Sequence, residues 1–461
     1  MLFNSLQFLF VFLPITYVVF WKLGNKNQRY VWLTITGYVF YGTWNYKFCA
    51  LMAFSTVLSY LSGLAMMEYE GGRRKLYLVL PITVDLLVLG FFKYLNFGLY
   101  TLSGAAHWLH WPVNIKFIDL VLPLGISFYT FHTITYIVDC YRGTIRPTRN
   151  FFEFACYVCL FPQLVAGPIV RFRQIEEDLE NIGEAQRTRN LNRGWSFFVI
   201  GMAKKVLIAD TIAAVINPAF ARYHQLSTID VWLCILGYTY QLYFDFSGYS
   251  DMAVGLGYMF GLKLPQNFNS PYKAVDIADF WRRWHISLST CLRDYLYIPM
   301  GGSRGAAWKT YRNLLLTMLL GGLWHGANWT FVFWGAYHGV LLSLNRAFAG
   351  VLKRVHSDIS RAATFFAVVI GWVFFRSADF KMAAILLNKM FYFQPGSSMP
   401  GLPGLVAVLM VAAAIAHFAP NTFELSHEWR PIWSGVFAVA YILCLIVIAG
   451  ANTSPFLYFQ F

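Results

Sequence analysis

Two histidines, each directly after a tryptophan, stand forty positions apart in a chain that is otherwise mostly apolar. The first closes Phe280-Trp-Arg-Arg-Trp-His285 and is followed by Ile-Ser-Leu-Ser. The second lies in Leu320-Gly-Gly-Leu-Trp-His325-Gly-Ala-Asn-Trp329, between Gly322 and Gly326. Imidazole is the side chain best suited to take or give a proton near neutral pH. Glycines around His325 permit close backbone approach, so a substrate could come within hydrogen-bond reach. Polar groups in apolar surroundings are costly and tend to be functional. Arg282, Arg283 and Trp284 give His285 a setting that could bind an anionic carrier, unless this histidine simply snorkels at the membrane interface. A structural hydrogen bond is the plainer alternative for His325.

Other chemistries find no support in the motifs. There is no G-x-S-x-G elbow, Walker loop, G-x-G-x-x-G turn or H-E-x-x-H pattern. His325 and His338 are thirteen positions apart, several turns on a continuous helix, which argues against a shared metal. Cys156-x-x-Cys159 has redox or zinc spacing but sits in an apolar run with no second pair, so buried small side chains are the expected reading.

The elements that must position these residues belong to a membrane. Of 461 residues, 58% are hydrophobic and 13% charged, and mean hydropathy is +0.50; these values place the chain among polytopic membrane proteins rather than soluble multidomain ones. The net charge of +14 falls in short loops between apolar runs, as expected of cytoplasmic loops. A nucleic-acid binder would gather it on one soluble face. Met1–Phe20 lacks a basic leader and a cleavage signal and reads as a retained first membrane helix.

Basic and nearly uncharged connections alternate along the chain, which orients the spans. Phe8–Trp21 runs inward to Lys22 and Lys26, Tyr30–Trp44 returns, and Phe48–Met66 meets Arg73 and Arg74. Leu76–Asn96 carries Asp85 and Lys93, about two turns apart, suggesting an internal ion pair or polar wall. Phe97–Phe117 reads as interfacial, and Val121–Tyr141, with His132 and several hydroxyls, as interior-facing. Phe151–Val170, broken by Pro162, Gly167 and Pro168, reads as re-entrant, since irregular backbone at membrane depth needs protein or water around it. Gln174–Arg193 reads as one charged surface helix. Gly194–Phe220 and Ile229–Phe260 span, the second carrying Tyr243 and Asp245, expected to line a wet pathway. Lys263–Lys309 reads as amphipathic helices at the inner face, and Tyr311–Leu323, Trp329–Ala349, Phe365–Phe375, Leu402–Phe418 and Ile432–Ala449 complete the bundle. The expected architecture is an all-α polytopic membrane protein, one integral membrane domain over residues 1–461, with about eleven transmembrane helices plus re-entrant and interfacial ones.

Beyond the two Trp-His segments, Arg293-Asp-Tyr-Leu-Tyr-Ile-Pro299, Phe91-Phe-Lys-Tyr-Leu-Asn-Phe97, Pro123-Leu-Gly-Ile-Ser-Phe-Tyr-Thr-Phe131, Asp245-Phe-Ser-Gly-Tyr-Ser-Asp251 and Gly371-Trp-Val-Phe-Phe-Arg376 occur in order. This set resembles the membrane-bound O-acyltransferase family nearly end to end. Within the family it resembles the bacterial branch whose members O-acetylate exopolysaccharides such as alginate or attach D-alanine to teichoic acid, the first more closely. The resemblance implies a ring of helices around a central tunnel, with His325 as the catalytic histidine and His285 as its companion. Trp284, Arg283, Asp245, Tyr243, Trp324 and Asn328 are expected to line the substrate path. No bound cofactor or metal is implied. Acetyl-CoA or another acyl thioester would be the cytoplasmic donor, docking near His285 and Arg283. His325 would act as general base or briefly carry the acyl group, and the acceptor would be an extracytoplasmic partner protein in the bacterial inner membrane complex. D-alanyl transfer is the enzymatic alternative; a transporter of a small anion or lipid-linked sugar is the non-enzymatic one, and an inverted repeat would favour it.

Overall fold

The computed structural model describes residues 1–111, 115–165, 167–184, 187–396 and 399–450. Among these the architecture is helical throughout, with no strand. Four helical runs are long and apolar enough to cross a membrane: Lys26–Glu68, Gly71–Trp108, Ser357–Arg376 and Pro431–Gly450, with Phe8–Lys22 and Leu402–Phe418 as shorter apolar helices. The chain divides into two compact units, Met1–Gly194 with Leu256–Pro265, and Trp195–Gly255 with Gln266–Phe461.

In the first unit, α1 (Leu13–Lys22) continues a π-helical turn at Phe8–Phe12. It is followed by α2 (Lys26–Asn45), α3 (Cys49–Glu68), α4 (Gly71–Leu89) and α5 (Leu95–Trp108), the last two joined by a π turn at Gly90–Tyr94. α6 (Ile126–Arg142) starts and stops at left-handed glycines, Gly125 and Gly143, where a side chain would be strained. It packs against α3 and α4, and the Thr133 hydroxyl among those noted in the sequence faces that contact. Asp85 accepts from Ser55 Oγ at 2.7 Å and from Thr133 Oγ1 at 2.7 Å, so α4 is tied to both neighbours by hydrogen bonds. α7 (Phe151–Cys159) is capped by Asn150, and the short helix Phe161–Leu164 follows the bend at Leu160. Phe154–Val165 is buried throughout, which fits irregular backbone held inside protein. The stretch expected as one surface helix is divided: α8 (Phe172–Glu180) ends in a turn, and α9 (Arg187–Ala203) begins a second helix.

In the second unit, α9 runs through a π turn at Lys204–Ala209 into α10 (Asp210–Ala221). α11 (Thr228–Met259) is the longest helix, at 32 residues, and from Cys234 on it is buried on almost every side. α9 and α11 cross at Gly201 and Gly248, where a methyl on Gly248 would stand 2.6 Å from the Gly201 carbonyl oxygen. Two short helices, α12 (Ile277–Arg283) and α13 (Ile286–Leu292), flank His285, and a π turn at Arg293–Tyr297 follows. Then come α14 (Ala307–His325), α15 (Trp329–Ala347), α16 (Ser357–Arg376), α17 (Phe380–Phe391), α18 (Leu402–Phe418) and α19 (Pro431–Gly450). α17 was not anticipated from the sequence.

Candidate active site

His325 is the last residue of α14, and what stops the helix there also aims it. Gly326 is extended and cannot carry a side chain, because a Cβ would meet the Phe331 ring. Asn328 then caps α15, its Oδ1 accepting from Thr330 N at 3.1 Å, while its Nδ2 donates to the Ala378 carbonyl at 2.7 Å. Thr330 Oγ1 donates to the Ser377 carbonyl at 3.2 Å. The turn between α14 and α15 is thereby fastened to the end of α16. Along the hairpin, methyl groups on Gly322 or Gly335 would collide with the carbonyls of Phe331 and Met318 respectively. The glycines noted in the sequence therefore bring two helices into backbone contact, which fixes His325 on a rigid support.

The His325 ring is 5% exposed and sits among Trp324, Trp334 and Phe375, with centroids 5.0, 5.2 and 5.2 Å away. A cavity of about 240 Å³ reaches it. One face of α14 lines that cavity through Leu314, Thr317, Met318, Gly321 and His325. Eleven residues at 1.5 Å each make this lane roughly 16 Å long. Arg293 and Tyr297 also line it, and the turn after them is held to Asn313, whose amide donates to the Met300 and Gly302 carbonyls at 3.1 Å each. That turn therefore sits at the Leu314 end of the lane, while Leu292, next to Arg293, lies against Gly321, one turn from His325.

His285 is fully buried, at 0% exposure, so it does not snorkel. It occupies the link between α12 and α13 in the left-handed region, φ 44° and ψ 54°, a conformation uncommon away from glycine. Its ring lies 6.4 Å from that of His325. Trp284 joins an aromatic group formed by Phe280, Tyr272, Phe268 and Trp372, and Tyr243 meets it at 6.3 Å. The structure therefore gathers His325, His285, Trp324, Trp284 and Tyr243 into one aromatic-walled region.

Three other expected site residues have different surroundings. Arg283 pairs with Asp279 at 2.9 Å and donates to the Asn269 carbonyl at 3.3 Å. Asp245 is ion-paired with Lys205 at 2.6 Å, and Lys205 also pairs with Asp210 at 2.7 Å. Asn328 serves as the cap already described. His338 accepts from Trp281 Nε1 at 3.3 Å. Among the described residues no cluster of metal-ligating side chains occurs. Trp334, Phe375, Arg293 and Asn267 were not named as site residues from the sequence: Arg293 and Phe375 stood out only as parts of motifs, tryptophan is too common here to stand out, and Asn267 lies in a segment without periodicity.

The chain is similar to known proteins. Residues 144–379 match the model of the MBOAT, membrane-bound O-acyltransferase family. The chain is 42% identical to a probable alginate O-acetylase AlgI of Pseudomonas putida over the whole of both chains. It is 38% identical to a peptidoglycan O-acetyltransferase of Helicobacter pylori, over 85% of this chain and 80% of that one. A teichoic acid D-alanyltransferase of Bacillus subtilis is 30% identical over 56% of this chain and 67% of its own. A match over half the chain and identities near two in five along its full length settle the kinship: this protein is an O-acyltransferase and belongs to the membrane-bound O-acyltransferase family.

Proposed function

We propose that this enzyme passes an acetyl group from a cytoplasmic acyl thioester, acetyl-CoA or a similar carrier, across the bacterial inner membrane for O-acetylation of an exopolysaccharide such as alginate. The observation that carries the reading is the cavity along α14, which is mostly apolar, is lined by Arg293 and Tyr297 and reaches His325. An extended thioester arm fits such a lane, with its charged end left outside. Arg293 in place of Arg283 is then the cation nearest the donor, because Arg293 lines the cavity and Arg283 does not; each arginine is paired with an aspartate, Arg293 with Asp294 at 2.7 Å and Arg283 with Asp279 at 2.9 Å. Within the cavity His325 takes the proton of the acceptor hydroxyl as the oxygen attacks the acyl carbon, and the departing thiolate receives a proton in return. Surrounding tryptophans exclude water, which limits loss of acetyl to hydrolysis. The acceptor hydroxyl belongs to an extracytoplasmic partner protein that hands acetyl to the polymer.

Acetylation is favoured over D-alanylation because the full-length likeness is to an O-acetylase, whereas the D-alanyltransferase match spans 56% of the chain. The test replaces the chromosomal copy with His325→Ala and measures polymer acetyl content beside the membrane abundance of the protein. Acetyl content should fall to background at normal abundance. Retained acetylation would overturn the role given to His325.

A further inference from the structure

The backbone on either side of His285 is stitched to the extended segment that holds Asn267. Asn269 N donates to the Arg283 carbonyl and Ile286 N to the Asn267 carbonyl, each at 2.9 Å. This places the Asn267 side chain, 1% exposed, against the imidazole. Its Oδ1 receives the backbone N–H of Ser287 at 3.2 Å and the Ser287 hydroxyl at 2.9 Å, and lies 3.1 Å from His285 Nδ1. Its Nδ2 donates to Ser250 Oγ at 3.2 Å.

An amide can be turned end for end without changing its shape, so its orientation must follow from its partners. Here one partner has no choice: a backbone N–H only donates, and the atom it meets must be the amide oxygen. That oxygen also faces His285 Nδ1, and two acceptors do not bond, so Nδ1 must carry the hydrogen. A neutral imidazole has a single N–H, which leaves Nε2 with a lone pair. Nε2 is buried and without a hydrogen-bond partner among the described residues. Of the rings around His285, which are Phe246, Phe268, Trp324 and His325, only His325 titrates.

We propose that Asn267 is a positioning residue that locks His285 as the Nδ1–H tautomer, so that Nε2 accepts a hydrogen bond from an O–H or N–H group of a substrate. This rests on the acyl-transfer reading above and changes the part His285 has in it. His285 recognises a hydrogen-bond donor, and it neither holds an anion nor donates to the thioester carbonyl. A second shell that fixes a histidine tautomer is worth about 10–100-fold where it has been measured at metal sites, and a similar factor is expected here.

The test has two arms. Nitrogen-15 NMR of histidine-labelled protein, with the His285 signals identified by their loss in His285→Gln, should show the Nδ1–H tautomer. The Nε2–H tautomer in the wild type would overturn the proposal. In acetyl transfer, Asn267→Leu should lower kcat/KM about 10–100-fold, and Asn267→Asp, which keeps an oxygen facing Nδ1, should recover most of it. The added carboxylate favours the imidazolium, which cannot accept, so the acid limb of the Asn267→Asp profile should move to higher pH. An unmoved limb, or equal losses in both variants, would also overturn the lock. A wild type with the expected tautomer and no polymer acetylation would refute the polysaccharide reading and leave the lock standing.

Discussion

Lys205 meets two carboxylates, Asp245 and Asp210, with only 2% of its side chain exposed. Bringing these charges out of water is costly, and only their mutual attraction offsets it. Lys205→Met should therefore destabilise the protein by about 3–5 kcal/mol, because both carboxylates lose the lysine they share. Adding Asp245→Asn and Asp210→Asn should restore much of the loss; melting temperatures in detergent measure both. If the lysine variant alone melted like the wild type, the triad would be irrelevant to stability. The two histidines were legible from the sequence, since a Trp-His pair is conspicuous in an apolar chain and the second stands between glycines. Asp245 was legible only as a polar residue in an unexpected place. Its partner lies forty positions earlier, and nothing in local spacing joins them. Arg283 differs, because its partner Asp279 lies one turn before it at ordinary helical spacing, so that pairing could have been read from the sequence.

At the scale of elements, the hairpin of α14 and α15 decides where His325 stands. Gly335→Ala should separate the two helices, since the new methyl meets the Met318 carbonyl. Displacements near 1 Å at a reacting group can cost about 100-fold. Acetyl transfer should thus fall by roughly that factor while the protein remains in the membrane at wild-type abundance. An unchanged rate would mean that the hairpin does not aim the histidine. Most helix positions could be read from apolar runs and their polar ends, including α2, α3, α15, α18 and α19. The structure corrects the reading where packing outweighs pattern. A turn after Glu180 splits the charged stretch into α8 and α9, and α17, capped by Asp379 through Met382 N at 2.7 Å, is too short and mixed in character to announce itself. The segment around His285 reads as interfacial from its charges, yet its aromatics carry it into the interior.

For the whole molecule, composition settled membrane residence but not the number of crossings. Apolarity and length single out four runs. A helix such as α11 is apolar because protein covers it, and sequence alone does not separate that from contact with lipid. Orientation rests on the basic loops. A membrane-impermeant maleimide should label Arg354→Cys in inverted vesicles and not in intact cells; the opposite pattern would reverse the topology. The native cysteines leave that experiment a low background: all seven are free thiols, but six are buried and Cys49 is only partly exposed. The same thiols should stay unreactive until the protein is unfolded, and reducing agents should leave acetyl transfer unchanged.

The π turn at Lys204–Ala209 gives chain length an unusual meaning at one place. Lys204 reaches Asp251 at 2.6 Å and Lys205 reaches Asp245 at 2.6 Å, so neighbouring lysines serve acids six positions apart on α11. A π turn accommodates one residue more than an α-helical turn. Deleting any one residue within it would let the helix close regularly and would swing everything before it by about 100°, so the two pairs could not both survive. Between Lys353 and His356, in the exposed connection from α15 to α16, the loss of one residue would only shorten a loop. Among natural variants of this protein, single-residue gaps should therefore collect in that connection and be missing between Lys204 and Ala209.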